Sequence, residues 1–374
     1  MYLGIRKLTL GMASLLICFA VRAQNQTDWE RLTSALDKDV PQRMQDKHVP
    51  GMALAIFDQG EVIYSKGLGL ADIEKQLPVT KETGFNIGSI SKMFTAWGVM
   101  KLVETGKVEL DTPVENYLTR WHLPDAEFDK RKVTVRALLS HTAGLSVHGY
   151  PGFRPEQKLP SLEKSLDGVN GDVRADEPVE IILPPQTKFQ YSGGGYTMLQ
   201  LMIEEVTNMT FSKYMEKEVF KPLNMPSTSF TIDRKILRTS ATPYDEEGKE
   251  IYLERFTAQA AAGLHTNLKD LIAFARASFG ENPVLKNETV ALMQEPVAIT
   301  KGAYGLGYMA YRMGPITVRG HAGSNDGWES AFLFDFDTQS GAIMLTNGSL
   351  GKDVAIATLR QWVGWKMKAG NQGK

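Results

Sequence analysis

The strongest constraint on this chain is where its two kinds of hydrophobic period fall: strand-like runs lie near both ends, and helical periods fill the middle. Met52 to Phe57 and Glu61 to Lys66 flank Asp58-Gln59-Gly60 and read as a β-hairpin. Ile316 to Arg319, Ser330 to Phe336 and Gly341 to Thr346 read as three more strands joined by turn-forming Gly, Asn and Asp. Between these groups, Met93, Phe94, Trp97, Met100, Leu102 and Val103 recur at helical spacing over Ser91 to Glu104. Val135 to Leu139, Gly195 to Val206 and Phe211 to Val219 give further helices. Trp29 to Met44 is amphipathic, and a last helix over Val354 to Met367 turns Ile356, Leu359, Trp362, Val363 and Trp365 towards a core. The economical solution is an α/β fold with one antiparallel sheet built from both ends, flanked by the N- and C-terminal helices. A mainly helical region is then inserted between the second and third strands. On this reading residues 24–87 and 258–374 form the α/β sheet domain and 88–257 the helical inserted domain, with a site at their seam.

The first residues read as a bacterial-type secretory signal, spanning 1–23. A short basic region ends at Lys7, an apolar stretch runs from Leu8 to Val21, and Val21-Arg22-Ala23 offers small residues for cleavage. The expected location is therefore periplasmic or secreted, with no transmembrane anchor after cleavage. The single cysteine, Cys18, lies inside this segment, so disulfides, thiol catalysis and thiolate metal sites are not expected of the processed chain. A formal net charge of -1 gives no surface suited to nucleic acid or an anionic membrane.

Several familiar sites are missing. The sequence has no G-x-S-x-G elbow, no H-E-x-x-H and no G-x-x-x-x-G-K-[ST] loop. His141 and His148 are the closest pair among six histidines, and their spacing suits a structural or surface role better than a helical metal pair. No metal or other cofactor is expected. What remains is S-x-x-K. A serine hydroxyl needs a nearby base, and a lysine three residues on along a helix lies on the same face, about 5–6 Å away by Cβ. If the serine opens the helix, the positive end of the dipole also disfavours the ammonium. The pattern occurs three times, as Ser89/Lys92, Ser161/Lys164 and Ser349/Lys352. Only Ser89 is followed by an apolar helix that would be buried and fix it. Ser161 lies in a Pro- and charge-rich stretch from Val147 to Gln190, and Ser349 follows a strand through a glycine turn.

Phe85-Asn86-Ile87-Gly88-Ser89-Ile90-Ser91-Lys92-Met93-Phe94 closely resembles the nucleophile region of the class C β-lactamase and DD-peptidase family, which also contains esterases and D-aminopeptidases. Leu138-Leu139-Ser140-His141-Thr142-Ala143-Gly144-Leu145 resembles the segment after that family's nucleophile helix, and Tyr191-Ser192-Gly193 falls where it carries Y-x-N. Ala261-Ala262-Gly263-Leu264, Tyr304-Gly305-Leu306-Gly307-Tyr308 and His321-Ala322-Gly323 resemble its later landmarks, the last standing for K-T-G or H-x-G. The resemblance implies Ser89 as nucleophile, Lys92 as partner base, Tyr191 as a proton relay to the leaving group (as a phenolate near Lys92 in one form) and His321 as a group bordering the site. It implies an oxyanion hole from the backbone N–H groups of Ser89 and Ser324, and places Gly193 and Gly323 beside the substrate. Which of Lys92 and Tyr191 takes the first proton stays open at this stage.

Two departures from the family pattern matter. Gly193 removes the side-chain amide of Y-x-N, and His321 removes a fixed positive charge suited to a β-lactam carboxylate. Both favour an exported serine hydrolase cleaving an ester or a D-amino-acid peptide-like amide through a Ser89 acyl-enzyme. The alternatives are a β-lactamase, or a penicillin-binding sensor that acylates without turnover. The expected partner is a small-molecule or peptide substrate (ester, D-amino-acid amide or β-lactam), with Tyr150 and Phe153 as candidate apolar wall residues.

Overall fold

The computed structural model describes residues 29–168 and 177–371, with side chains to residue 368. The export-type segment and Cys18 lie outside the described residues. The strands are β1 (Gly51–Asp58), β2 (Glu61–Asp72), β3 (Leu77–Pro78), β4 (Gly84–Asn86), β5 (His265–Asn267), β6 (Met309–Met313), β7 (Ile316–Asn325), β8 (Trp328–Asp335) and β9 (Ser340–Thr346). Seven of them form one sheet in the order β3-β2-β1-β9-β8-β7-β6, with every neighbouring pair antiparallel. β4 and β5 form a separate two-stranded ribbon. The mixed α/β architecture and the antiparallel sheet built from both ends are those expected from the sequence.

The hairpin turn follows from its residues. Gln59 and Gly60 both have positive φ, at 52° and 81°, the twist that a two-residue turn needs between right-twisted strands. β1 then pairs with β9, from Met52 opposite Thr346 to Phe57 opposite Gly341. This seam joins the two ends of the chain. All eight residues of β1 are buried, because both faces of the sheet are covered. Ala53, Ala55 and Phe57 face the helical core, whereas Met52, Leu54 and Ile56 face a second core. That second core is closed by the helix α1 (29–46), through Leu32, Leu36 and Val40, and by the C-terminal helix Gly351–Asn371, through Leu359 and Trp362.

Of the strands that depart from expectation, two border the site. β7 continues through His321 to Asn325, beyond Arg319, and so carries the H-A-G segment on a strand. β6 is an added edge strand, half-buried along most of its length, and its weak alternation hides it from a sequence reading. It pairs with β7 only from Ile316 to Gly320, which leaves the edge of β7 beyond Gly320 unpaired by β6.

The helix α2 (Ser91–Glu104) has the expected bounds, but it is not a surface helix. Eleven of its fourteen residues, from Ser91 to Met100 and Leu102, are buried. A helix that is apolar all round belongs in a core. It lies among the sheet, the helix Gly193–Thr207 and the Tyr304–Tyr308 segment, whose Tyr308 hydroxyl accepts from Trp97 Nε1 at 2.9 Å. Gly307 has φ 87°, and a Cβ there would sit 2.5 Å from the Cβ of Ala96. Gly307→Ala is therefore expected to combine left-handed strain with overpacking, about 2–4 kcal/mol in all. Gly106→Ala also sits at positive φ (70°), with open space around the added methyl, and should cost only the conformational part. Denaturant unfolding of both variants tests this; equal losses would contradict the tight approach of the 304–308 segment to α2.

Candidate active site

The turn before α2 is fixed from three sides. Asn86 Oδ1 accepts from Gly88 N–H at 2.9 Å and from Asn325 Nδ2 at 2.6 Å. Asn325 Nδ2 also donates to the carbonyl of Ala262 at 3.0 Å, and Ile87 N–H donates to Leu264 O at 3.0 Å. The end of β7, the Ala261–Leu264 segment and the turn are thus one hydrogen-bonded unit. Gly88 has φ 49°, and a Cβ there would lie 2.6 Å from the backbone nitrogen of Ser324. Gly323 is pressed equally closely, since its Cβ would stand 2.0 Å from the carbonyl oxygen of Ile87. These two glycines let the serine turn and β7 touch backbone to backbone, and they bring the Ser89 turn beside the Ser324 N–H. Ser89 lies in a 3₁₀ turn, Gly88–Ile90, that runs into α2; it is half-buried between two buried neighbours.

Lys92 projects back from the first turn of α2. Its Nζ lies 3.1 Å from Ser89 Oγ and donates to the carbonyl of Ala261 at 2.7 Å. The residue is 1% exposed, and burial pushes its pKa down to about 7. The rings of Tyr191 and Tyr196 stand 4.9 and 5.6 Å from Nζ, and their π faces offset part of the cost of the ammonium form. When neutral, the amine keeps an N–H for Ala261 and has a lone pair for the Ser89 hydroxyl proton.

Tyr191 enters from the segment before the helix Gly193–Thr207, with its ring 4.9 Å from Lys92 Nζ and lining the same cavity as Ser89. Burial raises its pKa above the usual phenol value, so it is held as a phenol rather than a phenolate. His321 lies on β7 with both ring nitrogens engaged. Nδ1–H donates to the carbonyl of Ala322, and since a carbonyl only accepts, Nε2 accepts from the Tyr304 hydroxyl at 3.1 Å. Burial, then the nearby Lys92, pushes His321 down to about 3, so its imidazole is neutral.

These groups border a cavity of about 770 Å³ whose wall includes Tyr150, Phe189, Tyr191, Tyr311 and Met309. Gly323 and Ser324 line it too. Two expected substrate contacts fall elsewhere. Phe153 is not among the lining residues; it is buried in a short antiparallel bridge with Arg255, with backbone bonds of 2.8 and 2.9 Å between them. Gly193 is not among the lining residues, and a Cβ there would meet the carbonyl of His148 at 3.1 Å and Gly149 Cα at 3.2 Å. The other two S-x-x-K pairs are structural. Ser161 caps the helix Leu162–Leu166 by accepting from Lys164 N–H at 3.3 Å, and Ser349 Oγ accepts from Gly327 N–H at 3.0 Å.

The structure adds contacts that the sequence reading did not assign. The Ala261 carbonyl anchors Lys92, Tyr304 anchors His321, and two histidines lie against Tyr191. His141 is buried, its ring 4.2 Å from that of Tyr191, with Nδ1 accepting from Ser192 N–H at 3.1 Å. His148 is exposed, lines the cavity and stacks on Tyr191 at 4.9 Å. A serine hydroxyl, a desolvated amine, a phenol and a pair of adjacent backbone N–H groups can together perform nucleophilic attack on a carbonyl, with proton transfer and oxyanion stabilisation.

Known proteins share this arrangement of elements. The octameric penicillin-binding protein homologue from Pyrococcus abyssi superposes with a TM-score of 0.72 at 25% identity, covering 88% of this chain and 78% of that one. SurE superposes with a TM-score of 0.71 at 22% identity over 91% of this chain and 76% of that one, which speaks for the fold alone. Protein flp of Staphylococcus aureus strain N315 is 24% identical over 322 residues, 83% of this chain and 62% of its own length. Human mitochondrial serine beta-lactamase-like protein LACTB is 25% identical over 341 residues, 71% of this chain and 62% of its own. The chain thus spans about three-fifths of the length of these curated relatives. The Beta-lactamase family profile matches residues 36–363, from α1 through the sheet strands at both ends to the C-terminal helix. With the motifs in order and the fold shared over this whole span, the chain belongs to the Beta-lactamase family.

Proposed function

We propose that this chain is an exported serine hydrolase that cleaves an ester or a D-amino-acid peptide-like amide through an acyl-enzyme on Ser89. The observation that carries the reading is the 3.1 Å approach of Ser89 Oγ to a lysine Nζ that is buried and tethered to a carbonyl. Lys92, whose pKa burial brings to about 7, takes the first proton, because Tyr191 is held as a phenol and has none to accept until it donates its own. Ser89 Oγ attacks the substrate carbonyl carbon as its proton passes to Lys92 Nζ. The resulting oxyanion accepts from the N–H groups of Ser89 and Ser324. As the tetrahedral intermediate collapses, Tyr191 gives its proton to the departing oxygen or nitrogen and is reprotonated by the Lys92 ammonium. Water then attacks the acyl carbon, losing its proton to the same pair, and Ser89 Oγ leaves as a hydroxyl. The basic and then apolar first residues support export.

The neutral His321 supports uncharged substrates over β-lactams. An imidazole with a pKa of about 3 and both nitrogens occupied supplies no cation for a carboxylate. The aromatic side chains of Tyr150, Phe189, Tyr191 and Tyr311 that line the cavity with Ser89 suit an apolar acyl group.

Ser89→Ala is expected to abolish stoichiometric labelling by a fluorophosphonate, whereas Ser161→Ala and Ser349→Ala label like the parent; one-site labelling of Ser89→Ala, read by intact mass, would overturn the assignment. The pH profile follows from the sign of the lysine shift. A base works when neutral, so kcat/KM for p-nitrophenyl acetate should fall about tenfold per unit as pH drops below the Lys92 value of about 7, and level off above it. A profile still rising through pH 9 would contradict a desolvated base. Lys92→Ala and Tyr191→Phe should each lower kcat by about 10²–10⁴ and combine less than additively, since they share one proton path. Parent kcat/KM should be higher for p-nitrophenyl acetate than for nitrocefin, and the reverse order would return β-lactams to first place.

A further inference from the structure

We propose that His148 is a positioning residue of the Ser89 site, carried into the cavity by the segment 146–149 to hold the Tyr191 ring on the side where position 193 bears no side chain. The inference rests on the roles given above to Ser89 and Tyr191. It begins with how that segment is tied down. Gly193 N–H donates to the carbonyl of His148 at 3.0 Å, and Gly194 N–H to that of Val147 at 3.2 Å. Ser192 Oγ donates to the carbonyl of Ser146 at 2.6 Å, with a longer contact of 3.3 Å to that of Val147, and accepts from Gly195 N–H at 3.1 Å. The first two N–H groups of the helix Gly193–Thr207 are thus spent on the loop's carbonyls and the third on the Ser192 cap, rather than left for a ligand.

This docking holds a strained backbone. Val147 has φ 57°, a left-handed conformation that is an outlier for a β-branched residue and costs on the order of 1–3 kcal/mol. Such strain persists where surrounding bonds over-determine it, and its consequence is visible in the next residue. His148 is exposed, borders the same cavity as Ser89 and stacks its ring on Tyr191, with centroids 4.9 Å apart and planes inclined by 39°. His141 makes the other imidazole contact with Tyr191 at 4.2 Å, but it is buried and fixed by Ser192 N–H, so it belongs to the packed floor. His148 alone of the two is open to a substrate.

The glycines complete the case. A side chain at position 193 would start 3.1 Å from the His148 carbonyl and 3.2 Å from Gly149 Cα, so it would displace the segment. At position 194 a Cβ would meet Val179 Cγ2 at 2.7 Å and Val147 Cβ at 3.3 Å. The missing amide at 193 and the inward histidine at 148 are therefore one arrangement: the chain gives up a side chain on the helix and receives an imidazole from the loop. Tyr191 is held by ring contacts on an aromatic shelf with His141 and His148, and a displacement of its hydroxyl by a fraction of an ångström would spoil its aim at the leaving group.

The test is p-nitrophenyl acetate turnover by the full chain carrying His148→Ala, His148→Gln and His148→Phe, each alone and with Tyr191→Phe. Loss of the ring should lower kcat by about tenfold to a hundredfold, the scale of a misplaced catalytic group, with little change in KM. His148→Phe, which keeps a stacking ring, should recover most of that loss. In the Tyr191→Phe background, where there is no hydroxyl left to position, His148→Ala should change kcat by less than about twofold, as non-additive partners do. Should His148→Ala fail to fold, the same comparison is made with His148→Gln. Wild-type kcat in the folded ringless variants would overturn the proposal, and so would an undiminished loss in the Tyr191→Phe background, which is the mark of a merely structural role. A parent that neither labels at Ser89 nor hydrolyses the ester would instead remove the functional reading on which the proposal stands, and the two failures are separated by the Ser89→Ala labelling control.

Discussion

An ammonium group taken out of water without a carboxylate to receive it is unfavourable by several kcal/mol, and the site is organised around that fact. Lys92 is almost wholly buried, and its polar partners are the Ser89 hydroxyl and the Ala261 carbonyl. Neither neutral oxygen compensates a full charge as a carboxylate would, so the neutral amine is substantially populated near pH 7. The same burial acts in the opposite sense on Tyr191, which stays protonated, and removes the charge from His321. One physical cause, desolvation, therefore acts on all three groups: it lowers the amine of Lys92 to about 7, keeps Tyr191 a phenol and keeps the His321 imidazole neutral. Had an aspartate stood beside Lys92, the ammonium would be stabilised and the base lost.

The rest of the fold keeps that desolvated amine in register with its serine. The β1–β9 seam closes the two ends of the chain into one sheet, and β7 in that sheet meets the Ser89 turn through Gly88 and Gly323. Asn86 and Asn325 then lock the turn to the segment that carries the Ala261 carbonyl. Backbone groups supply most of the precise contacts, which suits a site where position matters more than side-chain reach. The buried α2, packed between sheet and helices, fixes the backbone from which Lys92 reaches the cavity.

Much of this was legible in the chain because its signals are local. The hairpin follows from Gln59-Gly60, α2 from six apolar residues at helical spacing, and the preference for Ser89 over Ser161 and Ser349 from the apolar helix that follows it. The edge strand β6 was not legible, since half-buried Met309 to Met313 lacks clear alternation. The Ala261 carbonyl lies 169 residues from Lys92 and carries no side-chain signature. The contact of His148 with Tyr191 was not legible for a different reason. Its place depends on a positive φ at Val147, a residue type whose sterics argue against that conformation. Phe153 illustrates the converse: an aromatic beside a site segment is as ready to pack inward as to face a cavity, and here it is buried.

The two departures from the family pattern acquire physical content in this frame. His321 is a buried link between Ala322 and Tyr304 rather than a cation, and position 193 is occupied in space by the backbone of His148 and Gly149. On the proposed function, both suit a neutral substrate and leave Ser89 and Lys92 in place. The central claim, that burial alone makes Lys92 a base, is tested most directly by following the Lys92 side-chain ¹³Cε resonance with pH, assigned by its disappearance in Lys92→Met. The account predicts a titration midpoint near 7. A Lys92 signal that stays in the ammonium form up to about pH 10, as for solvent-exposed lysines, would contradict it.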